Sequence, residues 1–383
     1  MELTSTELQS ERLRRQKILQ KLMDDARLDA LLFTSTAQPA YQVAVKYATG
    51  YPLITRRDIV YMKNGKEPYL IVPTKGQQFH ARRISWLPEE NILFGDFSAY
   101  IPDMITGTGS EKLRIGVYES DDIPVSLYKH IISTGAELID ITRNYTEARR
   151  SKSEVEIALI REASRIAIAS FEHVIRLLEP GKTECELIGA AEGFLRMNGA
   201  EDMIILTCSQ KPHTFISKPM PIPIKEDGIF IYSAEFAGPH GYWTQIVRPV
   251  FMSNDTQPEA FEILHAIKKA EAAGVKEFVV GKKISDIAAA VENVIAKYGF
   301  KMGVWSGHGM GADLGDGVDI GTDNDMAVVP NMVLTLHPSV MSENDGLLFG
   351  NTWLSTEGEA ECLTPQYRDE WLFSDLKSIV PQV

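Results

Sequence analysis

Cysteine is scarce: three residues in 383, Cys185, Cys208 and Cys362, with no Cys-x-x-Cys pair. That excludes a disulfide scaffold and a zinc knuckle. Long apolar runs are missing too, since none approaches the roughly 18 residues needed to cross a bilayer. Met1 to Gln16 is polar and charged, without the apolar centre of a secretory leader. The chain is therefore expected in the cytoplasm, away from membranes. Positive charge is in deficit, with 39 Lys and Arg against 52 Asp and Glu and a net charge of −13. Nucleic acid, which needs a basic footprint, is not an expected partner. What remains is an ordinary globular composition, 44% hydrophobic and 24% charged. The length suits two domains with real cores.

Taken in order, Glu7 to Ala26 has amphipathic helical spacing (Leu8, Leu13, Ile18, Leu19, Leu22, Met23). Asp29 to Thr34 reads as a buried strand. Ile59–Met62 and Tyr69–Val72 flank Asn64-Gly65, the strongest short hairpin cue. Ile115–Tyr118 reads as a further strand and Pro124–Ile132 as a helix. This first part is a compact α/β unit without a catalytic cluster, and His80 and His130 read as surface residues. Around Thr142 to Ser153 the pattern becomes a charged joint. Ser151 or Ser153 is placed to cap a long helix ending near Leu178. The domain boundary is expected here, giving residues 1–148 and 149–383.

The second part repeats itself. Gly181-Lys182, Glu186-Leu187, Ala190, Glu192 and Gly199 recur at a constant offset of 100 as Gly281-Lys282, Asp286-Ile287, Ala290, Glu292 and Gly299. Each copy has a Gly-Lys turn, an acidic residue early in a helix and a glycine stop. Strand-like runs follow each: Met203–Thr207, Ile229–Phe236 and Tyr242–Val250, then Met332–Leu336 and Leu347–Leu354. Two such halves would build a pocket between them.

The stretch with most chemistry is Trp305-Ser306-Gly307-His308-Gly309-Met310-Gly311, a histidine between glycines that let the backbone approach whatever the ring faces. Together with Val329–Pro338, Gly241–Arg248, Gly350–Gly358 and Glu361–Thr364, and with the domain order and duplication, it resembles the creatinase/prolidase/aminopeptidase P family. The resemblance covers nearly the whole chain. It implies an α+β fold: an N-terminal α/β domain, then a C-terminal pita-bread domain of duplicated helix-plus-antiparallel-sheet halves.

Peptidases of that family hold two metal ions with two Asp, a His and two Glu. Carried over position by position, the second Asp falls on Gln245. The first falls on Ala234, or on Glu235 if the hairpin at Pro239-His240 is a residue shorter. The histidine is His308, the first Glu is His337 and the last is Gly350. Two bridged dications need about four negative charges nearby, and this set offers one or none. No metal and no other cofactor is expected, although a single soft metal on His308 and His337 stays open. Creatinase and ectoine hydrolase, metal-free members of the family, are the relatives this pattern resembles. Creatinase's pocket histidine falls on Ile216, with His213 the nearest substitute.

The catalytic candidates are thus His308, His337, Glu235 and His213, with imidazoles or a buried carboxyl moving protons. Tyr242, Gln245, Arg248 and His240 are candidates for substrate binding, Arg248 as a carboxylate fork. Asp313, Asp316 and Asp319 lack the spacing of a calcium loop and read as solvated. Cys208 has nothing in the sequence to lower its pKa. The resulting expectation is a metal-independent, creatinase-like hydrolase or lyase acting on a non-peptide C–N bond of a small amino-acid-like substrate, as a homodimer. A non-catalytic pseudo-peptidase that binds a small ligand and a metal-dependent Xaa-Pro peptidase are the alternatives.

Overall fold

A computed structural model describes residues 4–36, 42–54, 57–106, 112–213, 215–255, 258–342 and 344–381. The chain divides into two compact units, residues 2–149 and 150–383.

The first unit runs α1 (Ser5–Ala26), β1 (Ala30–Thr36), α2 (Val43–Thr49), β2 (Arg57–Lys63), β3 (Tyr69–Val72), α3 (Lys75–Ile84), β4 (Ile92–Phe94), α4 (Phe97–Thr106), β5 (Arg114–Val117), α5 (Val125–Ser133), β6 (Glu137–Asp140) and α6 (Thr142–Arg149). Its six strands form one mixed sheet in the order β4-β3-β2-β1-β5-β6. The hairpin expected around Asn64-Gly65 pairs β2 with β3 antiparallel, Ile59 opposite Ile71, and Gly65 takes the positive φ such a turn needs. Leu32, Ile59, Ile71 and Ile115 form the core over one face. Asp58, which alternates with Ile59 along β2, points to the opposite face. It is fully buried with neither carboxylate oxygen hydrogen-bonded, and burial pushes its pKa up to about 7. The charged joint turns out to contain a helix of its own, α6, which buries Tyr145.

The second unit opens with α7 (Glu154–Leu177). Its N-cap is Ser153, whose hydroxyl accepts from the Glu156 N–H while the Glu156 carboxylate accepts from the Ser153 N–H. Then come α8 (Glu184–Met197), β7 (Asp202–Cys208), β8 (Ile229–Ala237), β9 (Trp243–Phe251), α9 (Pro258–Glu277) and α10 (Ile284–Lys297). The remainder is β10 (Lys301–Met302), β11 (Gly307–Met310), β12 (Leu314–Asp319), β13 (Val333–Leu336), β14 (Ser339–Met341), β15 (Gly346–Leu348), β16 (Asn351–Leu354), β17 (Glu361–Cys362) and α11 (Phe373–Ile379). The repeat is structural: α8 and α10 begin and end 100 residues apart, and Gly181, Gly281, Gly199 and Gly299 all have positive φ at their ends.

Antiparallel sheets β7-β8-β9 and β12-β11-β13-β16-β17 carry the two halves, with β10-β14-β15 beside them. A bridge between Val247 and Gly350 joins β9 to the second half. The α7–α8 pair covers one sheet through Phe171, Leu187, Phe230 and Ala234, and α10 covers the other through Ile287, Leu334 and Leu336.

Two sequence readings need correction. Asp313 and Asp316 are not solvated: they are buried in the β11–β12 hairpin, while Asp319 on β12 is exposed. The Asp316 carboxylate accepts from Lys152 Nζ at 2.6 Å, so it neutralises a buried ammonium. Leu347–Leu354 is two strands, because the chain breaks at Phe349-Gly350 to reach both β14 and β13.

Candidate functional site

Strand register brings the candidates together. Glu235 on β8 stands opposite Gln245 on β9. The Val247–Gly350 bridge places Gln245 opposite Thr352, and the Gln245 N–H donates to the Thr352 hydroxyl at 3.0 Å. Thr352 faces Thr335, and Thr335 faces His308. One cross-strand row therefore runs Glu235, Gln245, Thr352, Thr335, His308. Directly opposed residues of antiparallel strands share a face. The next row on that face holds Ser233, Val247, Gly350 and His337, whose N–H donates to the Ser306 carbonyl at 2.9 Å. Ala234 packs on the other face, in the helix-covered core. Glu235, not Ala234, is thus the residue of β8 that faces Gln245.

Burial sets the electrostatics. Glu235 is pushed up to about 7 by desolvation, against the opposing hydrogen bond that Gln245 Nε2 donates to its Oε1 at 2.5 Å. Desolvation lowers His308 and, with His308 alongside, takes His337 down to about 3. The two rings meet edge to face, centres 5.1 Å apart, and exposed Trp305 lies 6.5 Å from His337. His308 Nδ1 sits 3.1 Å from the Gly309 carbonyl, which fixes the proton on that nitrogen. At neutral pH both imidazoles are uncharged, and the face carries at most the one charge of Glu235. Several buried polar atoms on it have no hydrogen-bond partner: Ser233 Oγ, Gln245 Oε1, and both ring nitrogens of His337. Each such group costs about 1–3 kcal/mol unless a ligand or water meets it. The arrangement is made to donate to and accept from an uncharged polar group.

This set does not fit two metal ions. Gln245 contributes an amide whose N–H₂ is turned to the single carboxylate. A Cβ placed on Gly350 would lie 2.5 Å from His337 Cβ and 2.8 Å from the Leu336 carbonyl oxygen, so position 350 has no room for a carboxylate side chain. Among the described residues no three His, Cys, Asp or Glu are grouped to hold a metal.

The other candidates are placed elsewhere. Tyr242 is buried and its hydroxyl donates to Glu156 Oε1 at 2.9 Å, tying β9 to α7 rather than binding a substrate. His240 is exposed at the β8–β9 turn, in a left-handed conformation. Arg248 is buried, its Nη atoms spent on the carbonyls of Val247, Gly350, Thr364 and Gln366 and on Asn351 Oδ1. It is a structural clasp, not a free carboxylate fork. His213, in the β7–β8 connection, is buried against Asp345 and makes no hydrogen bond to Glu235, Gln245 or His308. Cys208 is partly buried and its pKa is raised by desolvation, as a catalytic thiolate would not be. Ser233 was missed by sequence reasoning. Its signal was available, two residues before Glu235 and so on the same face.

Comparison with known proteins bears on what this face serves. The model for metallopeptidase family M24 matches residues 158–357, and that for the Creatinase/Prolidase N-terminal domain matches residues 14–151. An uncharacterized peptidase of Bacillus subtilis (strain 168) is 26% identical over 67% of this chain and 72% of its own. An uncharacterized hydrolase/peptidase of Sinorhizobium fredii is 25% identical over 94% and 96%. Among solved structures, the prolidase of Pyrococcus horikoshii OT3 superposes with a TM-score of 0.78 at 20% identity, over 93% of this chain and 99% of its own. The Xaa-Pro dipeptidase of Bacillus anthracis gives the same score and identity over 94% and 99%. These names overturn the expectation of a creatinase-like, metal-independent hydrolase of non-peptide C–N bonds, for the likeness runs to peptidases and prolidases. By the match over more than half its length, and by the pita-bread fold beneath the His308 face, the chain belongs to metallopeptidase family M24.

Proposed function

We propose that this M24 protein is a pseudo-peptidase: it binds a small peptide or amino-acid derivative on the Glu235–His308 face without hydrolysing it. The peptide-like ligand is suggested by the names of its relatives, which are peptidases and prolidases. One observation carries the loss of chemistry: a side chain at position 350 would run into His337 and the Leu336 carbonyl. An amide group of the ligand would accept from His337 and donate to Gln245 Oε1, meeting atoms that otherwise lack partners.

Calorimetric titration of the full chain with Gly-Pro and Ala-Pro, alongside a proline-release assay, tests this. Binding is expected without release of proline, with or without added manganese. Manganese-dependent release would instead support the second reading, a metal-dependent Xaa-Pro peptidase, which the names of the relatives favour. The setting we propose is a cytoplasmic homodimer. All three cysteines are free thiols, and no helix among the described residues is long and apolar enough to cross a membrane.

A further inference from the structure

A cavity of about 330 Å³ lies against the β7–β8 connection, with Ser209, Lys211, His213, Lys225 and Asp227 in its wall. It sits at the other end of β8 from the face described above. Gly228 in its wall directly precedes β8, and Glu235 is seven residues further on, about 23 Å at roughly 3.3 Å per residue.

The wall is built rather than incidental. Glu184, buried at the start of α8, accepts from the Ser209 hydroxyl at 2.6 Å and from the Met220 N–H at 3.0 Å, pinning both ends of the loop. Between them His213 is 2% exposed and held by Asp345 from the β14–β15 turn. One oxygen, Asp345 Oδ1, accepts from the His213 N–H at 2.9 Å, from Nδ1 at 2.8 Å and from the Gly346 N–H at 2.8 Å. Burial alone would raise the Asp345 pKa, but these donors override it and hold the carboxyl below its ordinary value.

An ionised acceptor fixes the proton on Nδ1 and leaves Nε2, which has no hydrogen-bond partner among the described residues, as the ring nitrogen for the cavity. Lys211 Nζ stands 3.9 Å from Asp345 Oδ2, and Lys225 adds an exposed ammonium. Asp345 lies behind the wall, shared between His213 and Lys211, and the wall itself carries Lys211, Lys225 and the His213 ring against Asp227.

We propose that this cavity binds a small oxyanion, a phosphate or carboxylate carried by a metabolite-sized compound, between Lys211, Lys225 and His213 Nε2. Charge-assisted bonds from two ammonium groups and an oriented imidazole are the donor set such a group needs. Titration of the full chain with inorganic phosphate and with citrate, read by calorimetry and by the His213 ring C–H signals in NMR, tests it. Saturable binding is expected for at least one anion, and the stronger of the two identifies the source. Lys211→Ala and Lys225→Ala are each expected to weaken it about tenfold, and His308→Gln, on the other face, to leave it unchanged. Both lysines are exposed, so their variants test the idea even if His213→Gln fails to fold. No saturable binding of either anion, or binding indifferent to both lysine variants, overturns the proposal.

Discussion

At the scale of single residues, Gly350 decides what the face can become. A methyl group there meets His337 and the β13 backbone at well under van der Waals distance. Gly350→Ala is expected to cost about 1–3 kcal/mol, read as a lowered denaturation midpoint at constant slope. An unchanged midpoint would mean that β13 and β16 part easily, and that a carboxylate fits there after all. Asp58 makes a sharper residue-scale prediction. Its pKa rises from the ordinary 3.8 to about 7 on folding. The stability this proton supports is full below about pH 4 and lost as pH climbs through 7. A rise of that size is worth about 4 kcal/mol. Asp58→Asn should therefore melt with the wild type at pH 4 and above it at pH 8; equal melting at both would show that Asp58 finds a partner. Neither residue was legible from type alone. A glycine in a strand does not disclose what stands opposite, and an aspartate in an apolar run does not disclose whether it is paired.

At the scale of elements, the duplication was readable because capping and stop residues are local signals. The 100-residue offset of the motifs is also the offset of the helices, since α8 and α10 begin and end 100 residues apart. The copies differ at the N-cap. Thr183 caps α8 with its hydroxyl, which accepts from the Glu186 N–H, whereas Lys283 offers α10 no side-chain acceptor. Lys283→Ser should then stabilise the chain by about 0.5–1.5 kcal/mol, measured by denaturant unfolding; destabilisation would show that the lysine serves another contact. Register across strands was less readable. Side chains alternate with period two, so a one-residue difference in the β8–β9 turn decides whether Ala234 or Glu235 meets Gln245. The sequence leaves that turn open, and the pairing resolves it. The Lys152–Asp316 pair was invisible for a related reason: 164 positions separate its partners, and no local pattern connects them.

At the scale of the whole molecule, the fold and the function parted company. Domain order, duplication and glycine-flanked histidine identified an M24 architecture, and the family match bears that out. The chemistry first expected of it, a creatinase-like attack on a non-peptide bond, is not supported by relatives named as peptidases. Absence of carboxylates says what a site has lost, and carries little about the substrate that remains. The central claim is that this peptidase scaffold no longer holds its family's metal pair. Equilibrium dialysis of the purified chain against micromolar manganese, with bound metal counted by elemental analysis, tests it most directly. The account predicts no stoichiometric manganese, and no difference between wild type and His308→Ala. About two ions per chain, lost in His308→Ala, would contradict it.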